Sequence, residues 1–410
     1  MRPRGAKRVA LAWGTALVGA IPAACQTLLS GGPYGVVRLH HTDSAVLELH
    51  EERKDLPCDV TTSKAWLGFD LRFHAGYEVS IPLRELAGSE NLLTILFRVT
   101  PDNRTDEPAM YFSQKVRVPA IEKDAKGDAL LQGSFDIGEG KYQVDWLMRD
   151  RSERVCSHYW DLEATLAEKE KDIALMISPG AAQATEPEPF QEEPPVERAA
   201  GEPPLNVKVL INFAPQNAQS AVLQPLDTSA LVSILRTISR EPRIGKFSII
   251  AFNLHEQRVV FRQENADRID FPALGDALGS LNLGTVDLKR LSQKNGETQF
   301  LAELIRRETR GRSRPDALIF AGPKAMLAEN ISGEDLKSLG DLQYPVFYMN
   351  YNLFPQSNPW RDAIGMAVKF FKGTEFTISR PRDLWRAVAY MVSRIVQSKH
   401  ERRTVAASAR

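Results

Sequence analysis

The sequence predicts a multidomain chain of two unlike classes, an antiparallel β-sandwich followed by an α/β domain built on a mostly parallel sheet. Three observations predict it. Between residues 34 and 165 the apolar runs are short, alternate or are β-branched and aromatic, and are separated by Gly, Pro, Asn and Asp clusters. From 205 onward, strand-length apolar runs alternate with amphipathic helical stripes, the order that gives a parallel sheet covered by helices. Between them, residues 179–204 hold seven prolines and six glutamates and almost nothing that could be buried. The whole chain has 410 residues, 43% hydrophobic and 25% charged, which excludes a collagen, a wholly disordered protein and a polytopic membrane protein. Its 52 basic residues balance 52 acidic ones, so no cationic excess exists to displace the counterions of a duplex, and nucleic acid is not an expected partner.

The first element is an address. Arg2, Arg4, Lys7 and Arg8 precede an apolar run over 9–21 and then Pro22-Ala23-Ala24, the order of a secretory signal peptide over 1–24. The run is shorter than the ~20 residues that span a bilayer, so export to the periplasm, cell envelope or medium is expected rather than a permanent anchor. Cys25 directly after Ala24 raises lipidation as the one expected route to a membrane, although Pro22 stands where that motif prefers Leu. Cys58 and Cys156 remain, and in an oxidising compartment they can pair. Such a bridge closes a loop worth about 4 kcal/mol in chain entropy; the alternative is two buried thiols. The absence of any Cys-x-x-Cys disfavours structural zinc.

In the sandwich, 34–165, strands are expected at 46–49, 68–73, 77–81, 92–99, 109–118, 129–135, 142–148 and 156–162. Gly138-Glu139-Gly140-Lys141-Tyr142 resembles the tyrosine corner of immunoglobulin-like domains, in which a Tyr after a turn ties the loop to its strand. Leu162, Leu166, Ile173 and Leu175 among charges suggest a helix over 162–177, leading into a solvated acidic spacer that completes the 166–204 linker. Its Pro-x-x-Pro spacing leaves a docking peptide as the lesser reading.

In the second domain, 205–398, a strand at 206–211 is followed by a helix at 228–239 with Leu231, Ile234, Leu235 and Ile238 on one stripe, capped by Asp227 or Thr228. Strands follow at 247–252 and 258–262, helices at 271–281 and 299–309, strands at 317–321 and 346–349, a further apolar element at 366–371 and a closing helix at 382–397. A basic tail, 399–410, is expected to be solvated. This order resembles the von Willebrand factor type A fold, a Rossmann-like α/β domain with an antiparallel strand pair at 247–262. The resemblance implies a divalent-cation adhesion site made by Asp-x-Ser-x-Ser after the first strand, a later Thr, and an Asp after the fourth strand. Here those places hold Asn212-Phe213-Ala214-Pro215-Gln216, the Thr298 of Gly296-Glu297-Thr298, and Gly322-Pro323-Lys324. The motif is therefore degenerate, and neither a metal nor another cofactor is expected. Thr298 then reads as a helix N-cap.

Open α/β sheets place ligands at the carboxyl ends of their strands. The candidate binding residues are accordingly Asn212, Gln216, Asn253, Thr298, Gly322, Lys324, Asn350 and Tyr351, and the aromatics of 344–351 suit a partner surface. No nucleophile elbow, dinucleotide fingerprint, phosphate loop or His-Glu-x-x-His pair is present, so no catalytic residue is assigned. His40-His41 and Cys156-Ser157-His158 read as structural. The expected function is non-enzymatic interaction with another protein at the cell envelope. The alternatives are a secreted hydrolase or transferase acting at the sheet's carboxyl edge, and a carbohydrate-binding sandwich using Trp66, Trp146 or Trp160 as platforms.

Overall fold

The computed structural model describes residues 27–29, 39–102, 109–185, 190–198, 203–216, 220, 223–281, 295–310, 314–327, 331–337, 342–353 and 362–408. The segment 1–24 expected to be a signal peptide, and Cys25, lie outside the described residues. Among the described residues, no helix is long and apolar enough to cross a membrane.

Alternation builds the N-terminal half. Strand β4 (Phe73–Pro82) buries Phe73, Ala75, Tyr77, Val79 and Ile81, every second residue, and pairs along its whole length with β7 (Asp128–Ile137). With β2 (Asp59–Thr62), β3 (Trp66–Leu67) and β10 (Ala182–Ala184) these form one antiparallel sheet, ordered β10-β7-β4-β2 with β3 also on β4. The second antiparallel sheet is ordered β1-β6-β5-β8-β9, from β1 (Thr27–Leu28), β5 (Asn91–Pro101), β6 (Met110–Val118), β8 (Gly140–Arg149) and β9 (Val155–Ala164). Their inner faces share one core, where Phe97 stacks on Phe112 at 4.9 Å and Tyr77 meets Trp146 edge-on at 5.4 Å. The hydroxyl of Tyr142 donates to the carbonyl of Gly138 at 2.9 Å, tying the β7–β8 turn to the strand that follows it. A disulfide joins Cys58, just ahead of β2, to Cys156 in β9, so it links the two sheets; the Cα atoms are 6.3 Å apart.

Three expectations fail here. Residues 46–49 belong to helix α1 (His41–Leu49), which lays Val46 and Leu47 on Leu96, Leu147 and Val155 of the second sheet's outer face. Four residues are too few to separate a period of 2 from one of 3.6. Residues 68–72 form a turn, with Leu71 at φ 63°, and the strand starts only at Phe73. The helix expected over 162–177 is replaced by the end of β9, which pairs with β8 through Ala164, and a 3₁₀ turn at Glu168–Glu170. Ladder bonds to β8 outcompete the helical spacing of the leucines.

The second half holds one six-stranded sheet, ordered β13-β12-β11-β14-β15-β16. Its strands are β11 (Leu205–Asn212), β12 (Ile244–Asn253), β13 (Arg258–Ala266), β14 (Ala317–Gly322), β15 (Val346–Tyr351) and β16 (Thr374–Ile378). All neighbours are parallel except β12 and β13. Counted along the domain this is the doubly wound order 3-2-1-4-5-6 with an antiparallel edge strand. Helices α3 (Pro225–Ser239), α4 (Phe271–Leu278) and α8 (Pro381–Ser408) pack on one face, and α5 (Gly296–Thr309), the short α6 (Gly333–Lys337) through Leu336, and α7 (Ala363–Phe370) on the other, while the one-turn α2 (Leu83–Leu86) lies in the N-terminal half. Burial on both faces explains why β14 and β15, and the carboxyl-terminal halves of β11 and β12, are rich in unbroken apolar residues, whereas the exposure of the edge strand β16 alternates.

Helix α3 starts earlier than expected. Its N-cap is Gln224, with Pro225 at the first helical position and Asp227 returning a bond to the Gln224 backbone, so neither Asp227 nor Thr228 is the cap. Against the expected solvated tail, α8 runs on to Ser408, held where Lys399 and Arg402 pair with Asp316 at 2.7 and 3.2 Å. Beneath α5, the buried Lys208 bonds Glu308 at 3.0 Å while Arg262 takes the second Glu308 oxygen at 2.6 Å. Nor is the spacer wholly solvated, since residues 190–198 lie against the α/β domain.

Candidate functional site

The carboxyl ends of β11, β12, β14 and β15 bring most of the sequence-derived candidates into one layer, and each closes the fold rather than opening it. Asn212 accepts the Leu254 N–H at 3.3 Å through its amide oxygen. Beside it, Gly322 has φ +141°, and a Cβ there would lie 2.9 Å from the Asn212 Cβ, so the close approach of β14 to β11 requires glycine. Asn253 donates to the Phe213 carbonyl at 2.6 Å and accepts from the Glu256 N–H at 2.8 Å. Gln216 donates to Asn352 at 2.8 Å and accepts from the Leu353 N–H at 2.9 Å. The Tyr351 hydroxyl lies 3.0 Å from Asp227 and 3.2 Å from the Ala214 carbonyl; burial first, then the Asp227 charge, push its pKa well above the ordinary phenol value. Thr298 is not an N-cap. It lies inside the first turn of α5, whose N-cap is Asn295, next to a Glu297 that pairs with His255 at 3.0 Å.

Asn350 and Lys324 join a cluster on the α7 face that sequence reading missed. Asp362 caps α7, its Oδ1 accepting the Ile364 and Ala325 N–H groups at 3.2 Å each. Its Oδ2 is buried without a hydrogen-bond partner, as is Oδ1 of Asn350. The Asn350 amide donates to Glu375 at 3.2 Å, and the Lys324 ammonium lies 3.8 Å from the same carboxylate. Burial is the main cause that pushes Asp362 up to about 6, with Glu375 adding to it and the N–H groups of Ala325 and Gly365 and the Lys324 charge opposing it. A carboxyl titrating there can give or take a proton near neutral pH. The signal that would have located it is an Asp immediately before an apolar helical stretch, the ordinary mark of an N-cap.

A second polar cluster lies in the sandwich. His74 places Nδ1 2.8 Å from Asp136 and Nε2 3.0 Å from Asp70. Arg72 and Thr185 also reach Asp136, at 3.4 and 2.7 Å. Burial works against the imidazolium, but the bonds and charges of both carboxylates prevail and lift His74 to about 10. Burial likewise raises Asp70, yet His74 and Arg72 outweigh it and hold that carboxyl below its ordinary value. The three ligand-type atoms lie within 4.8 Å of one another. A cation would have to expel a proton and break a carboxylate bond, because both ring nitrogens are engaged. As arranged, the cluster is an imidazolium clamp holding the 68–72 turn.

The remaining chemistry-bearing residues are structural. Cys156 is in the disulfide, Ser157 accepts the Arg53 N–H at 2.8 Å, and His158 sits 2.7 Å from Glu52. His41 opens helix α1. Trp146 is core, Trp160 stacks on His158 at 5.8 Å, and Trp66 is half exposed beside His74 at 5.5 Å.

No family model matches the chain, and no curated protein matches it. Partial likenesses to solved structures include a β-glucosidase from Listeria innocua in complex with gluconolactone, 12% identical over 27% of this chain and 16% of that one, with a TM-score of 0.18. A superoxide reductase from Ignicoccus hospitalis is 9% identical over 30% of this chain and 89% of its own, with a TM-score of 0.17. A calcium-binding mutant of Bacteroides uniformis β-glucuronidase 2 is 9% identical over 77% of this chain and 38% of its own, also with a TM-score of 0.17. Likenesses of this size carry no argument about fold or function.

Proposed function

We propose that the chain is an exported, non-enzymatic protein-interaction protein of the cell envelope, with an immunoglobulin-like sandwich and a von Willebrand factor type A-like domain that works without a metal. The 3-2-1-4-5-6 order with its antiparallel edge strand supports the domain resemblance, the Tyr142 to Gly138 bond supports the sandwich resemblance, and the disulfide suits an oxidising compartment.

The observation that carries the reading is the closed carboxyl edge. Where the related fold would hold a divalent cation on carboxylates and hydroxyls, the Asn212 and Gln216 amide oxygens are already engaged by backbone N–H groups. Ala214 offers no side-chain oxygen, and Gly322 stands in the place of the second acid. A hard dication needs several oxygens and charge to replace its water shell, so these residues do not fit it. Titration calorimetry of the full chain with Mg²⁺, Ca²⁺ and Mn²⁺ tests this. No saturable heat attributable to the β11 end is expected, and micromolar binding abolished by Thr298→Ala would overturn it.

One observation favours a second reading, a secreted hydrolase or transferase. Asp362 and Glu375 pair a carboxyl raised to about 6 with a second carboxylate at the sheet's carboxyl edge. Turnover of a glycoside or ester, lost in Asp362→Asn, would replace the first reading with this one.

A further inference from the structure

The acidic linker ahead of β11 is docked by a specific set of contacts over residues 190–198. Glu193 is nine-tenths buried between Arg236 of α3 and Arg240, the residue that caps that helix's C-terminus: Arg236 Nε lies 2.8 Å from one oxygen, and Arg240 reaches both oxygens, at 2.6 and 3.0 Å. The i, i+4 spacing brings both guanidinium groups to Glu193; Arg240 grips the carboxylate in a fork, and Arg236 adds its charge at ion-pair distance. Arg236 also lies over the Phe271 ring at 5.8 Å, which fixes its orientation. Upstream, Phe190 packs against Gly275 of α4, where any Cβ would fall 2.7 Å from the ring, so the glycine forms the aromatic seat. Downstream, Arg198 lies over Phe247 at 5.6 Å and donates to the Glu241 carbonyl at 3.1 Å, beside the C-terminus of α3, where helix carbonyls attract a cation. Arg268 pairs with Glu192 at 3.0 Å on the exposed rim. Pro194 and Pro195 between these anchors keep the segment extended.

We propose that the face formed by α3, α4 and β12 is a recognition groove for an extended acidic segment of a partner protein, carrying a Phe and a Glu three residues apart, and that the linker fills this groove in cis until such a segment displaces it. The proposal rests on the protein-interaction reading and names its surface and ligand. Charge complementarity selects the ligand, since Arg236, Arg240 and Arg268 face glutamates. Phe190 and Val196 are only partly buried, so docking leans on charge and weakens with salt. A tethered segment acts at an effective concentration on the order of millimolar, which excludes weak peptides from the intact chain and admits them once the cis contacts are loosened.

The test uses the full chain and a fluorescent peptide with the sequence of residues 190–198. The double variant Phe190→Ala, Glu193→Gln is expected to bind it saturably and at least about tenfold more tightly than the unaltered chain. Adding Arg240→Glu should reverse that gain, and about 0.5 M salt should weaken it. A double variant that binds no better than the unaltered chain, or binding indifferent to Arg240→Glu, overturns the proposal. If the double variant fails to fold, Glu193→Gln alone is measured in the same way. With the unaltered chain, excess peptide at millimolar concentration should speed cleavage after Glu192 by a glutamate-specific protease relative to an equal concentration of a scrambled peptide with the same glutamates, and equal cleavage with the two peptides counts against the groove. Substrate turnover together with intact peptide binding would remove the interaction reading and leave the groove, whereas absent peptide binding without turnover removes the groove alone.

Discussion

Two buried charged clusters, one in each half of the chain, are satisfied in opposite ways. In the sandwich, His74 is matched on both nitrogens by Asp70 and Asp136, and Arg72 and Thr185 take further Asp136 lone pairs. At the carboxyl edge of the α/β sheet, Asp362 and Asn350 each keep one buried oxygen without a partner. Both sites are shielded from water, yet the first lifts a base to about 10 in its charged form and the second lifts an acid to about 6 toward its neutral form. The count of complementary partners, rather than burial alone, decides which protonation state the fold favours. The disulfide adds to the contrast, because it staples the sheets of the sandwich, while the α/β half relies on a sheet covered on both faces.

Removing that staple should have the largest effect. Cys58→Ser with Cys156→Ser is expected to cost about 4–5 kcal/mol for a loop of this length. The loss should appear in the sandwich transition of a scanning-calorimetry trace and leave the α/β transition in place; joint loss of both would show that the halves unfold as one unit. Next, Glu308→Gln leaves Lys208 buried beside a weakened partner and should lower the α/β transition by about 3 kcal/mol.

The clamp predicts a pH dependence confined to the sandwich. His74 keeps its proton in the folded state up to about 10, while unfolded histidine releases it near 6.5. Above 6.5 the folded state therefore binds more protons, so the stabilisation is complete below that pH and is lost as pH rises toward 10. Thermal melts across that window should show the sandwich midpoint falling, and a flat profile would break the comparison.

The smallest effect has the opposite cause. Ionising Asp362 is disfavoured in the folded chain, so its contribution is present below about 4 and lost as pH rises through 6. Asp362→Asn keeps a capping oxygen for the Ile364 N–H, and should raise the α/β midpoint by about 1 kcal/mol in stability at pH 8 and by nothing at pH 4. Equal melts at both pH values would show that Asp362 is not held neutral by its surroundings.

Legibility followed how local each cause was. Continuous apolar runs such as 209–211, 249–252 and 317–321 identify themselves as strands buried on both faces, and the alternation of β4 identifies its inward side. Val46 and Leu47 were misread because two adjacent apolar residues fit either period until α1 meets the sheet's outer face. At the candidate site, Asn212, Asn253, Gln216 and Tyr351 were placed at the correct edge, but their bonds run to Leu254, Phe213, Asn352 and Asp227, partners set by chain reversals that no local pattern encodes. Glu375 was missed with its strand, since an alternating five-residue edge strand carries little signal.

The amino-acid order by itself determined two fold classes, an antiparallel β half followed by a mostly parallel sheet with helices, because class depends on residue type and near-neighbour spacing. Tertiary structure alone decided that the basic C-terminal segment continues a helix onto Asp316, that Asp362 and Glu375 both border Gly365, and that part of an acidic linker docks on Arg236 and Arg240. Charges have long reach and no sequence period, so whether a glutamate is solvated or clamped depends on which arginines the folded backbone brings beside it.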